Sequence, residues 1–473
     1  MIKTKIIATL GPACGRHETI KAMIDNGVDL FRLNFSHGKS DDHQKYLSSF
    51  LEARSQHHHT TAVIGDLCGP KIRVGQIENE GRMLEPDEEV NIEPGIQIGT
   101  ENHFSTNYEQ FADDVNVGDR IFLDDGQIEL VVTDKLSNKI TCKVIIGGPL
   151  YSRKGINLPD SEVSTPSITE YDWQCVDWAI KNNLDFLALS FVRSAENIKT
   201  LKNHLIQEKS DIKVIAKIEK PQALEQLEDI IKESDAVLVA RGDLGVEMEL
   251  AEVPIIQKRI TNLCRLFGKP VIVATQMLQT MMEKPNPTRA EVSDVANAIM
   301  DFTDAVMLSG ETAVGRYPLE AAKTIQRIAA VTEHYLDNSK IKRPKTTARD
   351  ELIQTAAMAR SVAQIIEDTD IKLVVAWSET GSTARLLSKN RIDVPILVFS
   401  SNQRACYHMC LDYGVIPRCK PTPASIEEFT QIAQNIILDR KWANPSEKII
   451  IVAGEQLGAA GTTNTILIHT LTG

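Results

Sequence analysis

Six apolar runs in this sequence end in polar or charged side chains of the types that carry chemistry. The six polar ends are residues 32–38, Asp66, residues 217–219, residues 240–243, residues 275–276 and residues 309–312. A single charge at the end of a strand usually just meets water. Six such ends brought to one face of a fold would form a polar site, so we interpret them as parts of one active site.

Two carboxylates among these ends predict a divalent metal ion. Glu219 and Asp243 offer the hard oxygen ligands that Mg2+ and Mn2+ prefer, with substrate and water completing the coordination shell. Lys217 stands two residues before Glu219, so on a strand both side chains point to the same side. A mutual salt bridge is the alternative explanation of that pair, but charges that point inward at the end of a barrel need a ligand.

Cations accompany the predicted metal ion. Arg32 and Lys217 belong to the same set of polar ends, and Arg73 and Lys154 come from a separate stretch of the chain. A metal ion with several fixed cations suits a substrate that carries phosphate, because phosphoryl transfer is catalysed mainly by positioning and charge neutralisation.

The six polar ends can lie on one face only if strands position them there, and the sequence predicts eight strands. Short β-branched runs alternate with stretches of helical period up to about residue 70 and again from about 165 to 337. The predicted strands are Lys5–Leu10, Leu30–Phe35, Thr61–Asp66, Phe186–Val192, Lys213–Glu219, Ala236–Asp243, Pro270–Met277 and Ala305–Glu311. The predicted helices are about 17–26, 41–56, 169–182, 195–208, 221–232, 254–267, 288–300 and 319–336. Eight β-then-α units predict an α/β fold of the (β/α)8 TIM-barrel type, with its active site at the carboxyl ends of the strands.

Changes in composition and in the pattern of apolar residues predict two further domains. The barrel occupies 1–70 and 166–337, and 71–165 is rich in Gly, Asp and Glu with short alternating segments, which predicts a small inserted all-β domain. A charged linker at 340–345 leads into a C-terminal α/β domain over 338–473. Its predicted strands are Leu373–Trp377, Pro395–Ser400, Lys448–Gly454 and Thr465–Leu471.

Composition narrows the location and the partners. The 473 residues include 52 Lys and Arg against 64 Asp and Glu, and this net charge of −12 opposes binding to nucleic acid or anionic lipid. The eight cysteines form no CxxC pair, which suits reduced thiols. No run approaches the roughly 18 apolar residues of a membrane-spanning helix. We therefore expect a soluble cytoplasmic protein with no nucleic-acid or membrane partner.

The polar ends, read as sequence motifs, resemble those of the pyruvate kinase family along nearly the whole chain. The matching segments are RLNFSHG at 32–38, AKIE at 216–219, ARGDLGVE at 240–247, ATQML at 274–278, PTRAE at 287–291 and MLSGET at 307–312. The resemblance implies a barrel, an inserted β-barrel lid and a C-terminal regulatory domain, assembled as a homotetramer. It also implies a transfer of the phosphoryl group from phosphoenolpyruvate to ADP, which gives ATP and pyruvate.

The resemblance assigns a role to several residues. It implies that Arg32 contacts the substrate phosphate, that Lys217 stabilises the transferring group, and that Glu219 and Asp243 hold the Mg2+ or Mn2+ ion. The other implied roles are binding of the substrate carboxylate by the amides of Gly242 and Asp243 with Thr275, binding of the nucleotide phosphates by Arg73 and Lys154, and proton relay to the enolate by Ser309 and Glu311.

One departure from the family pattern concerns potassium. Potassium-dependent members bind K+ through oxygens that correspond to Asn34, Ser36, Asp66 and the following residue, which is usually Thr. Here that residue is Leu67, and Lys71 stands where those members usually carry Glu. The ammonium group of Lys71 can replace the ion, so we predict that K+ is not required. The alternative is that Lys71 is a solvated residue at the hinge to the lid.

A second departure concerns regulation. The segment Ser378, Glu379, Thr380, Gly381, Ser382 and Thr383 follows a strand and opens a helix, where hydroxyls and amides can bind a phosphate. An ordinary helix cap is the alternative. By the resemblance this is the effector-phosphate loop, but Glu379 stands where members that respond to fructose-1,6-bisphosphate often carry Lys. A carboxylate repels a second phosphate, so we predict activation by a sugar monophosphate or a nucleotide monophosphate.

Two other functions are compatible with parts of this pattern. A metal-dependent aldolase or lyase acting on pyruvate enolates could use the same Glu and Asp ligands, but it has no nucleotide phosphates for Arg73 and Lys154 to clamp. A phosphometabolite-binding regulator without catalysis is the non-enzymatic alternative. The intact set of Lys217, Glu219 and Asp243 argues against that regulator.

Overall fold

A closed barrel of eight parallel strands forms the centre of the molecule. The computed structural model describes residues 2–100, 102–339 and 353–472, so the predicted linker at 340–345 lies outside the described residues. The barrel strands are β1 (Lys5–Thr9), β2 (Leu30–Asn34), β3 (Ala62–Asp66), β14 (Phe186–Leu189), β15 (Lys213–Ile218), β16 (Ala236–Ala240), β17 (Val271–Ala274) and β18 (Ala305–Leu308). Around the barrel they follow the order β1, β18, β17, β16, β15, β14, β3 and β2.

Helices follow the barrel strands and cover them. They are α1 (His17–Asp25), α2 (Ser40–Ser55), α4 (Glu170–Lys181), α5 (Ala195–Gln207), α6 (Gln222–Glu225), α7 (Leu227–Glu233), α8 (Arg241–Glu247), α9 (Val253–Leu266), α10 (Arg289–Met300), α11 (Gly310–Ala313) and α12 (Pro318–Asn338). Their apolar faces pack on the strands in one continuous core. Thr169 and Thr288 each begin a helix with a capping box, which satisfies backbone N–H groups of the first turn. None of the helices in the described ranges is both long and apolar enough to cross a lipid bilayer.

The region between β3 and α4 is all β except for one short α-helix and a 3-10 turn at Glu78–Glu80, and we call it the insert. Its elements are β4 (Gln76–Ile77), β5 (Gly81–Leu84), β6 (Glu89–Pro94), β7 (Ile98–Gly99), β8 (His103–Thr106), α3 (Phe111–Asp114), β9 (Arg120–Leu123), β10 (Ile128–Leu136), β11 (Lys139–Ile146), β12 (Gly148–Tyr151) and β13 (Ile156–Asn157). Six strands form one sheet in the order β13, β9, β10, β11, β6 and β8, around an apolar core of its own. The hairpin between β9 and β10 turns through Asp124, Asp125 and Gly126, which all have positive φ.

The C-terminal region is a five-stranded sheet between helices. Its strands are β19 (Ile371–Trp377), β20 (Ile396–Ser400), β21 (Val415–Cys419), β22 (Lys448–Gly454) and β23 (Thr463–Thr470), and its helices are α13 (Ile353–Asp368), α14 (Ser382–Lys389), α15 (Gln403–His408) and α16 (Ile426–Asp439). The strand order is β21, β20, β19, β22 and β23, with only β23 antiparallel within this sheet. Cys410 and Leu411 pack against the apolar residues at the amino end of the barrel.

The structure corrects several of the predicted elements. Seven of the eight barrel strands end earlier than predicted, and β14, β16, β17 and β18 end three residues earlier. In these four, α8 begins at Arg241, α11 begins at Gly310, and Phe191 and Thr275 have positive φ. The predicted helix over 221–232 is two short helices, and β21 was not predicted. Each of the three regions has an apolar cluster of its own, and a further cluster joins Cys410 and Leu411 to the barrel. The boundaries at 70, 165 and 337 stay predictions.

Candidate active site

A cleft of about 820 Å3 lies between the mouth of the barrel and the insert. Its barrel wall includes Gly242, Asp243, Thr275 and Ser309, and Arg120 lies on its insert wall. These barrel residues follow the carboxyl ends of β16, β17 and β18. Lys71 lines the same cleft, so five of the predicted site residues share one cavity.

Lys217 is the centre of a buried polar cluster at the carboxyl end of β15. Its Nζ lies 2.6 Å from Oγ of Ser190, 2.9 Å from Oε1 of Glu219 and 3.1 Å from Oδ1 of Asp66. Burial by itself lowers the pKa of Lys217, but the carboxylates of Asp66 and Glu219 outweigh it and hold the pKa well above the ordinary lysine value. The ammonium group is therefore charged throughout the physiological pH range.

Arg32 enters the same cluster from β2. Its Nε and Nη2 both lie 2.6 Å from Oδ2 of Asp66, and its Nη1 donates to the Thr9 hydroxyl over 3.2 Å. Burial raises the pKa of Asp66, but the charges of Lys217 and Arg32 outweigh it and hold the pKa below the ordinary value. Asp66 is thus a fixed anion that orients two cations toward the barrel mouth.

Glu219 and Asp243 are the two carboxylates that could hold a divalent ion. The Glu219 side chain is almost wholly buried, and its Oε2 accepts the amide of Phe191 over 2.7 Å. Burial raises the pKa of Glu219; Lys217 opposes this rise and the charge of Asp243 adds to it. In the described residues no group of three or more His, Cys, Asp and Glu side chains is arranged to hold a metal. Two neighbouring, mutually repelling carboxylates fit an ion that takes its other ligands from substrate and water.

Thr275 occupies a strained backbone position at the end of β17. Thr275 and Gln276 both have positive φ, which is rare for residues with a Cβ and recurs at functional sites. The amide of Gly242 donates to Oγ1 of Thr275 over 2.7 Å. Arg241 holds the turn, because its Nη2 donates to the carbonyl of Thr275 over 2.8 Å and its Nη1 pairs with Asp294 at 2.7 Å.

Ser309 and Glu311 differ in what they can reach. Ser309 lines the cleft, whereas Glu311 is 1% exposed. The two carboxylate oxygens of Glu311 accept the backbone amides of Leu278 over 3.0 Å and of Ser309 over 2.8 Å. Glu311 therefore fixes the backbone that presents Ser309.

The predicted nucleotide contacts lie on the insert. Nζ of Lys154 pairs with Oδ1 of Asp124 at 2.8 Å, and Nη1 of Arg73 donates to the carbonyl of Arg153 over 3.0 Å. Burial lowers the pKa of His37, and the charges of Arg73, Arg32 and Lys71 lower it further. Arg73 thus shares one positive region with Arg32, whereas Lys154 is held by a carboxylate of the insert.

Lys71 lines a cavity together with Ser36 of the predicted monovalent-cation region, and its ammonium group approaches two carboxylates on the other side. The Asn34 side chain accepts the Ser36 amide over 3.2 Å, and Leu67 is buried. Nζ of Lys71 lies 3.9 Å from Oδ1 of Asp125 and 4.0 Å from Oδ1 of Asp243. The ammonium group therefore faces the proposed divalent-metal ligand.

The predicted effector loop precedes α14. Gly381 has a φ of 83°, a left-handed conformation that a residue with a Cβ rarely adopts, and no side chain among the described residues caps the helix there. The hydroxyls of Thr380 and Ser382 lie 3.1 Å apart at the surface, while Ser378 and Thr383 are buried.

Glu379 is fixed by hydrogen bonds within the C-terminal region. Its Oε1 accepts the indole N–H of Trp377 over 2.8 Å, and its Oε2 accepts the Ser401 hydroxyl over 2.8 Å. The carboxylate is thereby held beside the loop.

Two residues of the site were not predicted from sequence. Ser190 follows the fourth strand of the barrel, and Arg120 of the insert lines the cleft. A signal existed for Ser190, because it is a polar residue at a strand end like the six that were considered. No sequence pattern marks Arg120 as a site residue, because only the packing of the insert against the barrel brings it to the cleft.

Comparison with known proteins assigns this architecture to one family. Residues 1–322 match the family model of the pyruvate kinase barrel domain, and residues 356–469 match that of the pyruvate kinase alpha/beta domain. The chain belongs to the pyruvate kinase family. The closed eight-stranded barrel and these two domain matches confirm the predicted fold class. Pyruvate kinases are phosphotransferases, so the predicted enzyme class is confirmed as well.

Relatives of similar length support the same assignment. A pyruvate kinase of Corynebacterium glutamicum is 38% identical over 472 residues, which are 99% of this chain and 98% of the relative. A pyruvate kinase of Mycobacterium tuberculosis is 38% identical over 465 residues, which are 98% of each chain. The crystal structure of a Cryptosporidium parvum pyruvate kinase gives a TM-score of 0.92 at 31% identity and covers 99% of this chain and 96% of that one. Neither a lyase nor a non-catalytic regulator finds support here.

Proposed function

We propose that this chain transfers the phosphoryl group of phosphoenolpyruvate to ADP with the polar cluster around Lys217. A terminal oxygen of ADP attacks phosphorus, the bond from phosphorus to the enol oxygen breaks, and the enolpyruvate takes a proton at carbon to give pyruvate. The observation that carries the proposal is the Lys217 ammonium group, which lies within 3.1 Å of two carboxylates at the barrel mouth.

Arg32 and Lys217 bind and orient the phosphoryl group. Asp66 pairs with both cations, so their positions are set before the substrate arrives. Fixed charges of this kind stabilise the charge that develops on the phosphoryl and enolate oxygens, without reorganisation during the reaction. We assign the largest part of catalysis on the barrel side to Lys217.

Glu219 and Asp243 would hold the Mg2+ or Mn2+ ion. When bound, such an ion neutralises phosphate charge and fixes the substrate oxygens. Burial of Glu219 and its bond from the Phe191 amide keep one ligand in place, while Asp243 stands at the edge of the cleft.

Residues beyond β16, β17 and β18 bind the substrate carboxylate and supply the proton. The amides of Gly242 and Asp243 and the hydroxyl of Thr275 bind the carboxylate, and substrate replaces the present bond between Gly242 and Thr275. Ser309 carries the proton toward the enolate carbon. Glu311 serves this relay by holding the Ser309 backbone, since both of its oxygens accept amides.

The nucleotide phosphates bind to the insert through Arg73 and Lys154. Lys154 must exchange Asp124 for phosphate, so approach of the insert to the barrel completes the site and excludes water. Lys71 adds a fixed positive charge beside Asp243 and makes a bound K+ unnecessary.

The loop over 378–383 binds the phosphate of an activator. The hydroxyls of Thr380 and Ser382 and the uncapped start of α14 are the binding groups. The fixed Glu379 carboxylate selects a sugar monophosphate or a nucleotide monophosphate over a bisphosphate. We extend the proposal to a cytoplasmic homotetramer, which the family resemblance supports and light scattering on the purified protein would test.

A coupled assay tests the activity directly. Pyruvate formation is followed with phosphoenolpyruvate, ADP and Mg2+, and omission of each component in turn is the control. Turnover that needs all three supports the proposal, and absence of turnover overturns it.

A further inference from the structure

The carboxylate of Glu247 joins the insert to the barrel at a buried point. Its Oε1 accepts Nζ of Lys220 over 2.6 Å and Nδ2 of Asn157 over 2.7 Å. The side chain of Glu247 is 1% exposed and that of Lys220 is 12% exposed. Charge-assisted hydrogen bonds shielded from water in this way are strong and directional.

Each partner belongs to a segment that carries a proposed site residue. Lys220 directly follows Glu219, and Glu247 ends the helix α8 that contains Asp243. Asn157 ends β13 in the insert and is three residues beyond Lys154. Oε1 of Glu247 therefore connects the segments that carry the proposed metal ligands Glu219 and Asp243 with the segment of the insert that carries Lys154.

A second polar approach between insert and barrel, at the cleft itself, is looser. Nζ of Lys71 lies 4.0 Å from Oδ1 of Asp243, and each of the two side chains is about a third exposed. Solvent-exposed ion pairs at such distances contribute little to holding two bodies together. Glu247 is thus better fixed than Lys71. Arg193 of the barrel adds hydrogen bonds to the carbonyls of Val163 and Thr165 near the end of the insert.

The junction at Glu247 also has unused acceptors. Oε2 of Glu247 and Oδ1 of Asn157 are buried without a hydrogen-bond partner among the described residues. Both side chains line a cavity of about 30 Å3, which is close to the share of one water molecule in the liquid. Buried acceptors are normally satisfied, so this contact can tighten by rotation of the amide or by uptake of one water.

We propose that Glu247 is a positioning residue that sets the insert over the barrel for the nucleotide step. This rests on the proposed function. The proposed phosphoenolpyruvate contacts Arg32, Lys217 and Thr275 all belong to the barrel, whereas the nucleotide contacts belong to the insert. Loosening the Glu247 contact therefore weakens use of ADP while it leaves use of phosphoenolpyruvate nearly unchanged.

Four variants test the contact. Asn157→Ala removes the donor, Asn157→Asp places a second carboxylate against Glu247, and Glu247→Gln removes the charge. The double variant Asn157→Asp with Glu247→Gln reverses donor and acceptor, so it restores a bond between insert and barrel without the Lys220 ion pair. Asn138→Ala, at the turn between β10 and β11, is the matched control in the same sheet.

We expect Asn157→Ala to raise the KM for ADP about ten-fold, as loss of a hydrogen bond to a charged group does, with the KM for phosphoenolpyruvate within about two-fold. Asn157→Asp raises the KM for ADP further, and the double variant recovers part of that loss. Hydrogen exchange of the amides over 153–158 becomes faster in Asn157→Ala, while the thermal unfolding midpoint stays within about 2 °C because the contact is local.

The outcomes separate this inference from the proposed function. If the unmodified chain is active and Asn157→Ala changes neither KM, or changes both equally, the positioning role of Glu247 is wrong. Failure of the double variant to recover any of the loss in Asn157→Asp also overturns it. If the unmodified chain itself shows no turnover, the proposed function fails.

Discussion

Nζ of Lys389 lies 2.5 Å from Oδ2 of Asp304, and both side chains are completely buried. Lys389 ends α14 in the C-terminal region, and Asp304 directly precedes the barrel strand β18. The same Asp304 oxygen accepts the amide of Val271 over 2.8 Å, and Arg391 lies 3.0 Å from the other oxygen. Burial raises the pKa of Asp304, but Arg391 and Lys389 outweigh it and lower the pKa. The helix that follows the proposed effector loop is thereby tied to the amino ends of β17 and β18.

We expect Lys389→Met to destabilise the protein by about 3–5 kcal/mol, because it leaves part of the Asp304 charge uncompensated in the interior. The unfolding midpoint in a thermal scan measures the change. Lys372→Met is the control, since Lys372 pairs with Asp370 at the surface and its loss should leave the midpoint unchanged. Equal midpoints for Lys389→Met and the unmodified protein would contradict this role.

Asp412 provides a pH-dependent test of the same interface. Burial raises its pKa to about 6, against the attraction of Arg385 and Lys389. Because the pKa of Asp412 is higher in the folded state, its contribution to stability is fully present below the unfolded pKa near 3.8. That contribution is lost as the pH rises through about 6. We expect Asp412→Asn to stabilise the protein by about 1–3 kcal/mol at pH 8, with the gain shrinking toward pH 5. Denaturant unfolding at both pH values measures it, and a gain that grows toward pH 5 would refute the assignment.

Lys217→Met tests the catalytic cluster. We expect a fall in kcat of about 10²- to 10³-fold, because a fixed charge beside the transferring group is lost. Lys232→Met, at an exposed position on α7, is the control and should keep full turnover. Circular dichroism checks that the fold is intact. Near-normal turnover in Lys217→Met would show that the role is misassigned.

Full activity is expected in a buffer of Na+ or tetramethylammonium without K+, because Lys71 supplies the positive charge. Lys71→Glu is expected to lower activity and to make it respond to added K+. Lys21→Glu makes the same charge change on the outside of the barrel and should have no such effect. A many-fold rise in activity of the unmodified protein on adding K+ at constant ionic strength would rule this out.

Activation is expected with glucose 6-phosphate or AMP, seen as a lower half-saturating concentration of phosphoenolpyruvate, and not with low fructose-1,6-bisphosphate. Ser382→Asp places a negative charge at the start of α14 and should abolish that response, while Ser361→Asp on the exposed face of α13 should keep it. Strong activation by the bisphosphate at low concentration would count decisively against the effector assignment.

The barrel could be predicted from the sequence because the patterns that specify its strands and helices are local. Alternation of short apolar strands with amphipathic helices predicts β/α units, and eight units predict closure. The i, i+2 spacing of Lys217 and Glu219 placed both on one face of β15, where their ionic groups lie 2.9 Å apart. The all-β character of the insert followed in the same way from short alternating segments and turn residues.

Only the tertiary structure decided the contacts that depend on closure and packing. Asp66 on β3 meets Lys217 on β15 across β14, which no local pattern specifies. The left-handed backbone at Thr275 contradicts the strand predicted there, because Arg241 and the neighbouring loop fix the turn. Lys71 faces Asp243, and residues 90 positions apart in sequence meet at Glu247, since the orientation of the insert depends on contacts between segments that are distant in sequence. Local propensity determines which elements form, whereas the distances between their side chains are set by the packing of the whole chain.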